Sequence, residues 1–283
     1  MLKHRLLYGS LMIAFFIAVM LLDGWLDGSL TDSTPDKAIQ GSIFCILVAL
    51  LMIPAQFELA ALAWAKGLKI LTPVSIVCSI LLVTCWYWGQ FIDLRMDHLA
   101  FLLAFSFLAI LLYQYIMHGT TGALANCGIT CLSVCYLGLL GGFTVAIRTR
   151  FGLWPFLMFV FVIKCSDIGA YSIGSLCGKH KFSPRVSPGK TWEGMGGAAL
   201  AAAIIAVLFG AGCGIMALPL AVIFGLCFAF IGQMGDLAES MMKRDAERKD
   251  SASKVPGFGG VLDIIDSPLV AAPFAYLFFM CCL

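Results

Sequence analysis

The sequence predicts an all-α, polytopic integral membrane protein with about nine transmembrane helices. Three observations carry that prediction. The chain of 283 residues is 61% hydrophobic and only 12% charged, whereas a soluble domain carries about 25% charged residues. Apolar runs recur from one end to the other, each close to the ~20 residues needed to cross the hydrocarbon core. The charges gather in a few segments between those runs instead of being scattered.

Taken in order, spans are expected at roughly 6–22, 38–55, 70–92, 99–117, 123–147, 151–178, 194–212, 215–240 and 260–283. The first follows Lys3, His4 and Arg5 and resembles a signal peptide. Its apolar run is long, however, and ends in Leu-Asp-Gly-Trp rather than at a small-residue cleavage site, so it reads as a retained span. The second continues through 57–65 as a bent or interfacial extension. Trp86, Tyr87 and Trp88 close the third in the manner of an aromatic belt. Cys127, Cys131 and Cys135 repeat every fourth residue along the fifth. The twelve cysteines contain no Cys-x-x-Cys and no Cys/His cluster with zinc spacing, so they read as small apolar packing groups. No internal repeat supports the inverted architecture of a secondary transporter. No basic patch interleaved with aromatics suggests nucleic acid.

Orientation follows from the basic residues. With the N-terminus cytoplasmic, thirteen of the eighteen Lys and Arg residues lie on the cytoplasmic side. The segment with Asp23, Asp27, Asp32 and Asp36 lies outside. Arg148 and Arg150 fall outside too, against the trend. Two spans separate the loop at 179–193 from the loop at 241–259, so both loops face the same side and can form one site.

The chemistry concentrates between Gln233 and Ser267. This stretch holds seven of the sixteen acids and five of the eighteen strong bases. On a helix, Asp236, Glu239, Ser240 and Lys243 share one face at i, i+3, i+4 and i+7. Asp263 and Asp266 share a face in the first turn of the next span. Pro256, Gly257, Gly259 and Gly260 break the helix between them. Carboxylates of this kind suit Mg²⁺, which is held by one or two acids together with substrate phosphates. The bases suit the phosphates.

The sixth span adds Lys164, Asp167 and Tyr171 on one face. Here an ion pair between Lys164 and Asp167 competes with a reading in which Asp167 faces the site. The loop after it contains Gly189-Lys190-Thr191, but a Walker motif needs a glycine at position 184, where the chain has Pro184. Ser187, Lys190 and Thr191 still offer donors to a phosphate, close to Glu193.

These residues resemble the signature of the phosphatidate cytidylyltransferases, the CDP-diacylglycerol synthases. Ser240, Lys243, Arg244, Lys249, Asp250, Pro256, Gly257, Gly259, Gly260, Asp263 and Asp266 match it in register. Phe258 stands where the signature has His, and Ile264 where it has Arg. The segments around Ser166-Asp167 and Ser187–Gly194 resemble the same family, so the likeness covers about 160–283.

The resemblance implies transfer of a cytidylyl group from CTP to phosphatidate at the cytoplasmic face of a bacterial inner membrane. It implies an N-terminal bundle over 1–150 and a catalytic region over 151–283. The metal set is Asp236, Asp263, Asp266 and Asp167, with Mg²⁺ as cofactor and a second metal ion as an option. Asp236, Lys243, Arg244 and Asp263 are the catalytic candidates. Ser187, Lys190, Thr191, Glu193, Ser240, Lys249 and Asp250 are the substrate-binding candidates. Expected partners are the two substrates, membrane lipid and, as an option, a second copy in a homodimer. The alternatives are a CTP-dependent lipid kinase and, behind it, a membrane transporter.

Overall fold

A computed structural model describes residues 2–30, 39–91, 97–252 and 259–283. Its helices are α1 (Leu2–Asp27), α2 (Ser42–Ala65), α3 (Thr72–Trp88), α4 (Asp97–His118), α5 (Ala123–Ser133), α6 (Leu140–Phe151), α7 (Leu153–Cys177), α8 (Trp192–Gly212), α9 (Leu218–Asp245) and α10 (Leu262–Cys282). A π-helical turn at Val134–Leu139 joins α5 to α6, so Ala123–Phe151 crosses as one span. Among the described residues, eight helices are long and apolar enough to cross a membrane, and α3 is a shorter apolar helix. The chain is an all-α polytopic membrane protein.

Two boundaries matter for the site: the second span runs on through 57–65 as expected, and α9 ends later than expected. Helix α2 runs through Pro54 to Ala65, so the apolar segment after the second span continues the same helix. That places Glu58 inside the bundle. Helix α9 extends to Asp245, so Lys243 and Arg244 ride on the helix. A small hairpin interrupts the helical design. Strand β1 (Lys181–Ser183) pairs antiparallel with β2 (Ser187–Thr191), with Lys181 opposite Thr191.

Glycines set the helix spacing near the site. A Cβ at Gly169 of α7 would lie 2.5 Å from the Gly197 carbonyl oxygen of α8. Only hydrogen at these positions allows the two backbones to meet, the small-residue packing typical of membrane helices. Gly235 does the same for α9 and α10, where a Cβ would lie 2.9 Å from Ser267 Cα. The main core lies beneath these contacts, with Phe224, Phe228 and Phe279 stacked at its centre. Between α2 and α3 the buried Gln56 amide donates to Ser79 Oγ at 2.7 Å, a polar tie inside the bundle.

At the far end, α6 and α1 are joined by charge. Arg148 Nη2 lies 2.8 Å from Asp23 Oδ2 and 2.5 Å from Asp27 Oδ2, and all three side chains are buried. Asp23 also accepts from the Ile43 amide and Asp27 from the Gly41 amide, which anchors the start of α2. Arg148 therefore counts as a paired structural cation and does not weigh as a free positive charge on that side. Lys66, which lies 3.5 Å from Asp245, and Lys69, which meets His118, sit at the opposite end with the hairpin.

Arg148→Met should strand two buried carboxylates, and losing one partner of a buried pair costs roughly 3–5 kcal/mol. Thermal unfolding in detergent should show a clear drop in midpoint. A midpoint equal to that of the wild type would show that the triad does not hold α1, α2 and α6 together.

Candidate functional site

Four elements converge near the ends of α9 and α10: the hairpin, α7, α9 and α10. Between them lies a cavity of about 450 Å³. Its walls include Lys164 and Asp167 of α7, Lys190 and Thr191 of β2, Gln233 and Asp236 of α9, and Asp263 and Asp266 of α10. The loop at 179–193 thus supplies part of the cavity wall, whereas no described residue of the 241–259 segment lines it.

The helical face on α9 forms as the spacing requires. Asp236 and Glu239 lie one turn apart, and Lys243 Nζ reaches back to Glu239 Oε2 at 2.6 Å. The same ammonium donates to Asp263 Oδ1 at 2.6 Å. It therefore ties α9 to the first turn of α10. Lys190 Nζ pairs with Asp236 Oδ2 and also donates to the Gln233 carbonyl, docking the hairpin onto α9. Asp167 accepts from Gln233 Nε2 at 2.9 Å.

Carboxylate oxygens of Asp236, Glu239 and Asp266 lie within 4.8 Å of one another. Three acids this close repel strongly unless a cation sits among them. Two buried polar atoms support a ligand here. Among the described residues, Glu239 Oε1 and the Tyr136 hydroxyl have no hydrogen-bond partner. Tyr136 lies on the π-helical turn, within electrostatic reach of all three acids. Oxygen donors, close spacing and orphaned buried atoms all fit a hard divalent cation.

The other predicted acids have different surroundings. Asp263 spends Oδ1 on Lys243 and Oδ2 on the Gly260 amide at 2.6 Å and the Ser251 hydroxyl at 2.8 Å. Glu193 closes the base of the hairpin, accepting from the Lys179 and His180 amides and meeting His180 Nδ1 at 2.6 Å. Thr191 caps α8 by accepting from the Gly194 amide at 3.1 Å, which leaves its hydroxyl proton free to donate. Arg244 is exposed and donates to the Val186 carbonyl at 3.3 Å, holding the hairpin turn. Ser187 lies on β2 and Ser240 on α9, both half-buried. Lys249 and Asp250 are exposed beyond the end of α9 and do not line the cavity. Lys254, Pro256, Gly257 and Phe258 lie outside the described residues.

Glu58 was not foreseen at the site. It is a lone acid in an apolar stretch of α2, and its partners lie more than 190 residues away in the chain. Its carboxylate is buried and accepts from the Val261 amide at 3.1 Å, the Leu262 amide at 2.9 Å and the Ser251 hydroxyl at 3.2 Å. Helix α10 has no side-chain cap of its own. Glu58 supplies one from across the bundle, with its charge at the positive end of the helix dipole. Gly260 is required beside it, because a Cβ there would overlap the Glu58 carboxylate. Glu239 lay on the predicted face of α9 but outside the predicted metal set.

Residues 36–282 match the model of the cytidylyltransferase family. The chain is 32% identical over 240 residues to the phosphatidate cytidylyltransferase of Bacillus subtilis (strain 168), covering 82% of this chain and 87% of that protein. A phosphatidate cytidylyltransferase of Haemophilus influenzae is 41% identical over 130 residues, 44% of this chain and 45% of its own length. One from Chlamydia pneumoniae is 29% identical over 247 residues, 79% of this chain and 78% of its own.

Glu58→Ala should release the first turn of α10. Hydrogen exchange at the Val261 and Leu262 amides should then accelerate relative to the wild type, while the core of α9 keeps its protection. Unchanged exchange at those two amides would rule out Glu58 as the cap.

Proposed function

The chain belongs to the cytidylyltransferase family, and on that premise we propose the reaction it performs and the residues that perform it. It is a membrane-embedded nucleotidyltransferase that converts CTP and phosphatidate into CDP-diacylglycerol and pyrophosphate. The observation that carries this reading is the meeting of the basic hairpin, the acids of α9 and the first turn of α10 at one cavity. That arrangement brings cationic donors and oxygen ligands to a place reached by apolar helices.

The physical demands of the reaction match those groups. A phosphate oxygen of phosphatidate attacks the α-phosphorus of CTP. The bond from that phosphorus to the bridging oxygen breaks, and pyrophosphate leaves with the electron pair. The nucleophile is already ionised, so no strong base is required. The barrier is the approach of two polyanions, and stabilising charge at the transferring phosphorus lowers it. Asp236, Glu239 and Asp266 would hold Mg²⁺, which when bound supplies charge neutralisation and a Lewis acid. Asp167 supports that cluster through Gln233.

Lys190 and the Thr191 hydroxyl present donors to substrate phosphate from the hairpin, with Ser187 on the same strand. The N-terminus of α8 beside Thr191 favours an anion. Lys243 neutralises Glu239 and Asp263 and keeps α10 in place. Glu193 and Arg244 hold the hairpin in its docked position, whereas Ser240, Lys249 and Asp250 lie outside the cavity wall and receive no role in this reading. We place the site on the cytoplasmic face of a bacterial inner membrane. The hairpin, Lys66, Lys69 and Lys243 at one end of the bundle support that placement. The division into a bundle over 1–150 and a catalytic region over 151–283 belongs to the same proposal, with Glu58 reaching across it.

Purified protein given phosphatidate, Mg²⁺ and CTP should transfer label to lipid from α-labelled but not γ-labelled CTP. Label from the γ position would instead indicate a lipid kinase. Asp236→Asn and Asp263→Asn should each reduce turnover on the order of 10²–10³-fold, the scale of losing one electrostatic group from a preorganised site. Near-normal turnover in either folded variant would remove that residue from the machinery.

A further inference from the structure

Lys164 is an ammonium inside α7, and its position is explained by a proline on another helix. The carbonyl of Ile264 should accept from the amide four residues on, but that residue is Pro268, which has none. The orphaned carbonyl must find another donor within the membrane. Lys164 Nζ supplies it, at 2.7 Å. The lysine is thereby aimed from α7 across to the first turn of α10, and it lines the cavity.

Among the described residues two lysines line the cavity, and the charge of Lys164 is the less committed. Lys190 is in direct contact with Asp236, whereas the carboxylate nearest Lys164, Asp167 Oδ2, is 3.9 Å away. The Lys164 side chain is about one third exposed, at 36%, and that exposure faces the cavity side. Ile264 also stands where the signature matched by its neighbours carries an arginine. The backbone of that same residue is what Lys164 grips.

We propose that Lys164 is a substrate-binding residue for a phosphate group in the cavity, held by the Ile264 carbonyl and serving in place of the arginine absent at position 264. The inference rests on the cytidylyl-transfer reading given above. The phosphate could be that of phosphatidate or part of the CTP triphosphate, and separate titrations distinguish them.

The test compares Lys164→Gln, Lys164→Arg and the double variant Lys164→Gln, Ile264→Arg. Glutamine keeps a donor for the Ile264 carbonyl and loses the charge, so it separates binding from anchoring. Lys164→Gln should raise KM for one substrate about ten- to hundredfold, as expected for a lost charge-assisted hydrogen bond. Lys164→Arg should stay within a few fold of wild type, and Ile264→Arg should restore much of the loss. A rise confined to the phosphatidate titration assigns the lipid phosphate, and one confined to CTP assigns the triphosphate. Unaltered kinetics in Lys164→Gln, or equal damage in the Arg variant, would overturn the proposal while leaving wild-type turnover, and so the parent reading, intact. A double variant no better than Lys164→Gln would overturn the substitution for arginine. If the wild type forms no liponucleotide, the parent reading fails. Equilibrium binding of CTP and of phosphatidate micelles to the same variants then decides the role of Lys164, with weaker binding in Lys164→Gln supporting it and equal binding refuting it.

Discussion

Repulsion among the carboxylates of Asp236, Glu239 and Asp266 is the constraint to which the rest of this structure answers. Three acids within 4.8 Å of one another, two of them buried, are tolerable only with compensating charge close by. The chain meets this with lysines that also act as struts. Lys243 joins α9 to α10 through Glu239 and Asp263, and Lys190 joins the hairpin to α9 through Asp236. Neutralisation and positioning are thus one set of contacts. Gly235 allows the close helix approach that brings Asp236 toward Asp266.

The same logic appears at the other end of the bundle in a purely structural form. Arg148 serves Asp23 and Asp27 there, and together they fasten α1, the start of α2 and the end of α6. No substrate chemistry follows from that triad, because its charges are buried and spent on one another. At the candidate site, by contrast, charges border an open cavity.

Much of this was legible in the sequence because it is local. Hydropathy located the spans, and helical spacing put Asp236, Glu239 and Lys243 on one face. Topology alone brought the 179–193 and 241–259 loops to the same side. What was not legible depends on distant partners. Glu58 has no motif around it, and its role exists only because α10 lacks a cap. The grip of Lys164 on Ile264 spans 100 residues and has its cause in Pro268. The hairpin was hidden in a short polar segment, where strand pairing has little periodicity to display. The spacing of Asp263 and Asp266 showed that they share a turn of α10, but not that Asp263 would be claimed by Lys243, Ser251 and Gly260.

We infer that Asp236, Glu239 and Asp266 form the metal-binding cluster of this enzyme. Crystals of the protein grown with Mn²⁺ test it most directly through anomalous scattering. A strong anomalous peak is expected between these three carboxylates, lost in Glu239→Gln. A protein with no peak there, or with its peak held by Asp263 or Asp167 alone, would contradict it.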